Sequence, residues 1–362
     1  MGRIIAVANQ KGGCGKTTTS INLSACLSKL EQRVLLIDLD PQGHATLGLG
    51  MKPEQMERTI YNVLKVPDED RLPISSVVVP TESGVDLAPA NLMLSGLEQA
   101  LSGRPGREER LVQALEAVSE EYDSILLDCP PSLGLLTFNA LRACREVLVP
   151  GEVSQFSLQG VQQLHGLAIL LRERFEQHLV LYGLSVNFDA RSAFARNMLE
   201  QQRSQFPGLF LKTVVHVCSK IREATHHGQP VIQFAPRCRA AKEFQALGEE
   251  IQALNKRTAK VALADAVPQR AVQLESKEEE VLFQLPAPTA REVTIVGSFN
   301  DWKPDRTRLS GPDENGMWHT SVKLPKGTHH YKFLVDEAWV IDPENPKIVE
   351  DGFGGRNSVL EI

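Results

Sequence analysis

The stretch Asn9-Gln10-Lys11-Gly12-Gly13-Cys14-Gly15-Lys16-Thr17-Thr18-Thr19 constrains this chain more than any other feature. It lies between an apolar run, Ile4–Ala8, that reads as a buried strand and a segment, Lys16–Leu30, that reads as a helix. A chain that leaves a strand, crosses a glycine-rich loop and enters a helix gathers backbone N–H groups and the positive end of a helix dipole at one point, which suits phosphate. Gly12, Gly13 and Gly15 allow the backbone to wrap an anion without side-chain collision. Lys16 then reaches the β- and γ-phosphates of a nucleotide, and the Thr17 hydroxyl is a ligand for Mg²⁺. The usual loop has glycine where this chain has Gln10, and it lacks the extra lysine found here at Lys11.

Two further motifs end predicted strands. Val34–Asp38 runs into Leu39-Asp40-Pro41-Gln42-Gly43, and Ser124–Asp128 runs into Cys129-Pro130-Pro131-Ser132. With strands also expected at Glu146–Val149, Leu179–Val186 and Leu211–His216, and helices at Arg107–Ser119, Leu158–Phe175 and Ala241–Leu254, residues 1–255 read as an α/β unit with a mainly parallel sheet. Ligands of such sheets sit at the carboxyl ends of the strands, so the three motifs should converge.

The six cysteines contain no C-x-x-C pair and lie in the first two thirds of the chain, which argues against a disulfide framework or zinc site. No apolar run reaches the ~18 residues of a membrane span, and the N-terminus has no secretory pattern, so a cytoplasmic protein is expected. The formal net charge is −6, yet residues 181–260 hold twelve basic and six acidic residues. Clustered cations of this kind suit the phosphates of nucleic acid, and a solvated helix face is the alternative.

Residues 256–280 are polar without a period and read as a linker. From 281 to 362 short strands and turns follow one another at Val281–Leu285, Glu292–Gly297, Trp318–Leu324, His329–Val335 and Ser358–Ile362, the pattern of a small β-sandwich. All three tryptophans fall here. Trp318 lies inside a strand and reads as core; Trp302 and Trp339 lie at strand ends beside polar residues, where aromatic platforms stack on sugar rings. The pairs His226-His227 and His329-His330 lack an evident third ligand, so metal is not expected there.

KGGCGKTTT, DLDPQGHAT and DCPPSLGLLTFNAL resemble the ParA/Soj branch of the deviant-Walker-A P-loop NTPases, over essentially residues 1–254. The resemblance implies an ATPase that forms a homodimer on ATP binding, with Lys11 reaching the partner's phosphates. It implies catalytic roles for Lys11, Lys16 and Asp40, the last positioning the attacking water. Nucleotide contacts fall on Lys11, Gly12, Gly13, Cys14, Gly15, Lys16, Thr17 and Thr18, with Mg²⁺ held by Thr17 and, through water, Asp128. Asp38 is read as ordering the site. Asn187 either donates to adenine or is an ordinary strand-end asparagine. Cys14 replaces a small aliphatic residue and is read as a packed hydrophobe, with a redox-sensitive thiolate as the alternative. The family's Pro-Arg-Asn is missing around Val215-His216-Val217-Cys218. Such proteins bind DNA non-specifically and answer to an activating protein. Arg191 and Lys220 match basic family positions, and Arg222, Arg237 and Arg239 join them on charge and neighbourhood.

GSFNDW, GMWHTSVKLPKG, HYKFLVDEAWVIDPENP and GGRNSVLEI resemble the glycogen-binding module of AMP-activated kinase β subunits, an early-set, immunoglobulin-like sandwich. By that match Trp302 and Trp339 form an α-glucan platform, Lys332 and Asn357 bond hydroxyls, and Phe353 replaces a leucine that reaches around the glucan. The combination implies an ATP-driven switch that positions an α-glucan such as glycogen. The alternatives are a regulator of carbohydrate-metabolism enzymes that binds no DNA, and a partition protein whose extra domain docks another protein. Membrane attachment by a terminal amphipathic helix is not expected, because a β-domain follows the ATPase part.

Overall fold

The computed structural model describes residues 2–153, 155–255, 279–300, 302, 307–324, 328–336, 338–350 and 356–362. The chain divides into two compact units, Met1–Pro268 and Gln269–Ile362.

The first unit is built on eight strands: β1 (Arg3–Val7), β2 (Val34–Asp38), β3 (Val79–Pro80), β4 (Asp86–Ala88), β5 (Ser124–Asp128), β6 (Glu146–Glu152), β7 (Val180–Phe188) and β8 (Phe210–His216). They form one sheet in the order β3-β4-β2-β5-β1-β6-β7-β8. All neighbours are parallel except the edge pair β3 and β4. Runs such as Val34–Asp38 and Ser124–Asp128 are buried at every residue, as strands covered on both faces must be. The helix Lys16–Lys29 packs its Leu23 and Leu27 into the same core as Phe244 and Leu247 of the helix Arg239–Asn255. Each such side chain contributes about 1.5–3 kcal/mol on burial. The buried Arg3–Glu146 ion pair ties β1 to β6, and Arg3 also donates to the Ile251 carbonyl, anchoring the far end of the last helix.

Several elements differ from expectation. β6 and β7 run on to Glu152 and Phe188, two or three residues farther toward the site, and the helix expected at 158–175 starts at Gln155. The helices Leu135–Ala143, Ala193–Gln205 and Ser219–His226, and the short strands β3 and β4, were not expected. β3 and β4 are too brief to show a period, and among the described side chains of Ser219–His226 only Ala224 is buried.

The second unit contains β9 (Glu279–Pro286), β10 (Val293–Gly297), β11 (Met317–Leu324), β12 (Thr328–Val335), β13 (Ala338–Val340), β14 (Ile348–Glu350) and β15 (Arg356–Glu361). One sheet runs β10-β12-β15-β14 with β13 also on β12, and β11 pairs β9 in a second. Phe283, Leu285, Ile295, Trp318, Tyr331 and Phe333 fill the space between them. Trp318 is buried, and its indole N–H donates to the Ala287 carbonyl at 3.0 Å. β9 begins at Glu279, so the last two residues of the expected linker belong to a strand; 256–278 lie outside the described residues. β13 and β14 are only three residues each, too short to show a period in the sequence.

Candidate functional site

The strand order brings the three sequence motifs to one place. β1 sits between β5 and β6, and β2 lies on the other side of β5, so their carboxyl ends adjoin. A cavity of about 970 Å³ opens there. Gly12, Gly13, Gly15, Lys16, Thr17 and Thr18 line it from the loop, and Asp40, Gln42 and His44 line it from the end of β2.

The loop has the geometry that phosphate requires. Gly13 and Gly15 lie at φ 70° and 83°, the left-handed region that glycine adopts without strain. Gly15 caps the helix without a side-chain acceptor, so the first-turn amides remain donors for a ligand. Lys16 is buried, and its ammonium is held by the Lys11 carbonyl at 3.2 Å and lies 4.0 Å from the Cys14 sulfur. A desolvated cation with one neutral carbonyl and a thiol beside it is set for an anion. Cys14 is buried, and burial raises its thiol's pKa despite Lys16 and Lys11.

Three carboxylates have separate environments. Asp38 is fully buried and accepts bonds from the Asp40 amide at 3.1 Å and from the Thr46 amide and hydroxyl at 2.8 and 2.7 Å, which fixes the turn after β2. Asp40 faces the cavity and accepts from the Gln42 amide at 2.9 Å. Asp128, paired in register with Asp38, takes the Ser20 hydroxyl at 2.7 Å on one oxygen, and its Oδ2 has no hydrogen-bond partner among the described residues. Burial, and then the charge of Asp38, push the Asp128 carboxyl up, while the Ser20 and Thr17 hydroxyls oppose the rise. An orphaned buried carboxylate oxygen beside a threonine hydroxyl suits a hard cation such as Mg²⁺. Among the described residues no group of three His, Cys, Asp or Glu side chains is arranged for a metal, so such a cation would take most of its ligands from water and phosphate.

Sequence reasoning missed Glu152. It ends β6, lines the cavity, lies 3.6 Å from the Lys11 ammonium and accepts from the Asn187 amide group at 3.3 Å. Asn187 lines the cavity at φ 52°, a strained backbone for a residue with a side chain. A lone glutamate at a strand end carries no local signal; only the strand order places it beside Lys11.

The basic residues separate. Arg191, Lys220 and Arg239 each pair with a neighbour on the surface: Asp189 at 2.9 Å, Glu223 at 2.5 Å and Glu243 at 2.7 Å. Arg191 holds the Asp189 carboxyl down at about 2. Arg237 is exposed. Arg222, grouped with these by charge, lines the cavity.

In the second unit the register sets the face. Tyr331 and Phe333 point into the core, so Lys332 and Leu334, which alternate with them, point the other way. Trp339 lies opposite Leu334, and continuing the Tyr331–Ser358 register by one step sets Asn357 opposite Lys332. Trp339, Lys332 and Asn357 therefore share one face. Trp302, at φ 58° in the turn after β10, and Trp339 are exposed, whereas Asn357 is largely buried. Phe353 lies outside the described residues.

Residues 2–181 match the family described as an AAA domain, and residues 281–362 match that described as the glycogen recognition site of AMP-activated protein kinase. The chain is 42% identical over 254 residues to the sporulation initiation inhibitor protein Soj of Bacillus subtilis, covering 70% of this chain and 99% of that protein. It is 40% identical over 253 residues to the chromosome partitioning protein ParA of Myxococcus xanthus, covering 69% of this chain and 88% of that one. The cobyrinic acid a,c-diamide synthase of Mycobacterium smegmatis, solved with bound ADP and magnesium, superposes with a TM-score of 0.61 at 30% identity, covering 72% of this chain and 98% of that one.

Proposed function

Because the chain belongs to the ParA/Soj family of P-loop ATPases and carries a glycogen-recognition module, we propose that it is an ATP-driven switch that positions or organises an α-glucan cargo. The observation that carries the reading is the union, in one chain, of a phosphate loop bearing a second, half-exposed lysine and a sheet face that carries the exposed Trp339 with Lys332 and the largely buried Asn357.

The amides of Gly13 to Thr17 and the ammonium of Lys16 bind the nucleotide's phosphates. Thr17 and, through water, Asp128 would hold Mg²⁺, which would supply neutralisation of phosphate charge. Asp40 faces the cavity with one carboxylate oxygen engaged by Gln42, and it orients the attacking water. Lys11 leaves Glu152 to reach the phosphates of a second copy, stabilising transition-state charge as an arginine finger does. The exposed Lys11–Glu152 pair is worth about 0–1 kcal/mol, so a phosphate outcompetes it easily. ATP binding thus closes a homodimer, and hydrolysis to ADP and phosphate reopens it, under an activating protein still to be identified. In the dimer, Arg191, Lys220, Arg237 and Arg239 hold DNA phosphates without sequence preference.

The glucan half is tested by sedimentation with glycogen at low salt, in which maltoheptaose should compete; full-length protein left in the supernatant sinks it. One observation favours a second reading, a regulator of carbohydrate-metabolism enzymes that binds no DNA: three of the cations named are already paired with acids. DNA retention that requires ATP and falls steeply with salt supports the positioning switch over that regulator.

A further inference from the structure

We infer that Arg222 belongs to the nucleotide site, where it recognises the base and ribose half of the nucleotide, and is not one of the DNA-binding cations. The inference deepens the ATPase reading and rests on it.

The cavity continues past the phosphate loop to the carboxyl ends of β7 and β8 and the helix Ser219–His226. At about 970 Å³ it falls in the upper part of the ~300–1,000 Å³ range of small-molecule sites, large enough for a whole nucleotide. That far part is walled by Phe188, Val217, Cys218 and Ile221, with Asp189 and Arg222 as charged groups. Apolar walls with a few placed polar groups suit a flat heteroaromatic ring. Arg222 has no ion-pair partner among the described residues, unlike Arg191, Lys220 and Arg239. Its guanidinium is a donor-only planar fork that stacks on aromatic faces and bonds ring nitrogens and ribose oxygens. Asp189, on the same wall, has both carboxylate oxygens engaged by Arg191, which leaves Arg222 as the charged group turned to a ligand there. Arg222 stands one turn into the helix that follows β8, on that edge of the cavity.

Calorimetry on the full-length protein with Mg²⁺-ADP and, separately, inorganic tripolyphosphate tests the assignment. Arg222→Ala should weaken ADP about tenfold, the size of one charge-assisted contact, and leave tripolyphosphate, which has neither base nor ribose, unchanged. Arg222→Lys should recover only part of the loss, since lysine keeps the charge without the planar fork. DNA retention at saturating ATP should keep its salt dependence. ADP affinity within twofold of wild type, an equal loss for ADP and tripolyphosphate, or lost DNA retention with ADP binding intact would each overturn the assignment. Wild-type protein that binds neither probe overturns the ATPase reading and this inference with it. Arg222 is exposed, so its replacement leaves the core untouched, and an unchanged melting curve checks that the variants fold.

Discussion

Replacing Asp128 with asparagine should stabilise the protein when no nucleotide or metal is present, although it should cripple the site. Asp38 and Asp128 are register partners on adjacent parallel strands, and both are fully buried. Strands about 4.8 Å apart at an effective dielectric of about 20 give a repulsion of about 3 kcal/mol between two carboxylates. Asp38 accepts three hydrogen bonds from Asp40 and Thr46, whereas the Ser20 hydroxyl bonds only one Asp128 oxygen, so Asp128 is the less supported partner. Its carboxyl is accordingly raised, by burial first and by Asp38 second. A raised acid holds a proton in the folded state that the unfolded chain has released. The stability it permits is therefore intact below about pH 4 and falls as pH rises from there through the folded value. The substituted amide would carry no charge and would donate toward Asp38. The expected gain is about 1–3 kcal/mol at pH 8, or about 2–10 °C in the melting of a unit this size. Thermal melts of wild type and Asp128→Asn in EDTA, between pH 5 and pH 8, check this: wild type should lose stability across that window and the variant should be flatter. Adding Mg²⁺-ADP should raise the wild-type transition and move the variant much less. A variant less stable than wild type in EDTA at pH 8, with an undiminished gain from Mg²⁺-ADP, would refute the reasoning.

Three further outcomes are expected. Trp339→Ala should cut glycogen co-sedimentation at least tenfold with less than about 0.5 kcal/mol change in stability, because the ring is 54% exposed and supports little of the core. Asp40→Ala should abolish ATP turnover while trapping an ATP-bound dimer, and Lys11→Ala should prevent that dimer; size-exclusion chromatography with ATP separates the two, and a monomeric Asp40→Ala or a dimeric Lys11→Ala would count against that residue's role. Arg191→Glu should abolish ATP-dependent DNA retention without altering ADP affinity, and retention at the wild-type salt slope would remove Arg191 from the DNA surface.

The nucleotide loop, the carboxylate-ended strands and the α/β alternation were legible because each is carried by consecutive residues with local consequences. Glycines at φ 70° and 83° and a helix starting at Lys16 need no distant partner to be foreseen. Trp318 was readable as core from its place inside a strand, whereas a role for Asp38 came only with the family resemblance. Where reading failed, distant contacts decided. β3, β4, β13 and β14 are two or three residues long, too short for periodicity, and exist because a neighbouring strand completes their hydrogen bonds. Glu152 and Arg222 look like ordinary surface charges in the sequence. Their meaning depends on β6 lying beside β1 and on the last strands closing one side of the cavity. The sequence by itself determined the chemistry of the phosphate loop, since that chemistry resides in backbone conformation and adjacent side chains. Only the tertiary structure decided which charges surround it, because charges act through space and the sheet's crossover order sets those distances.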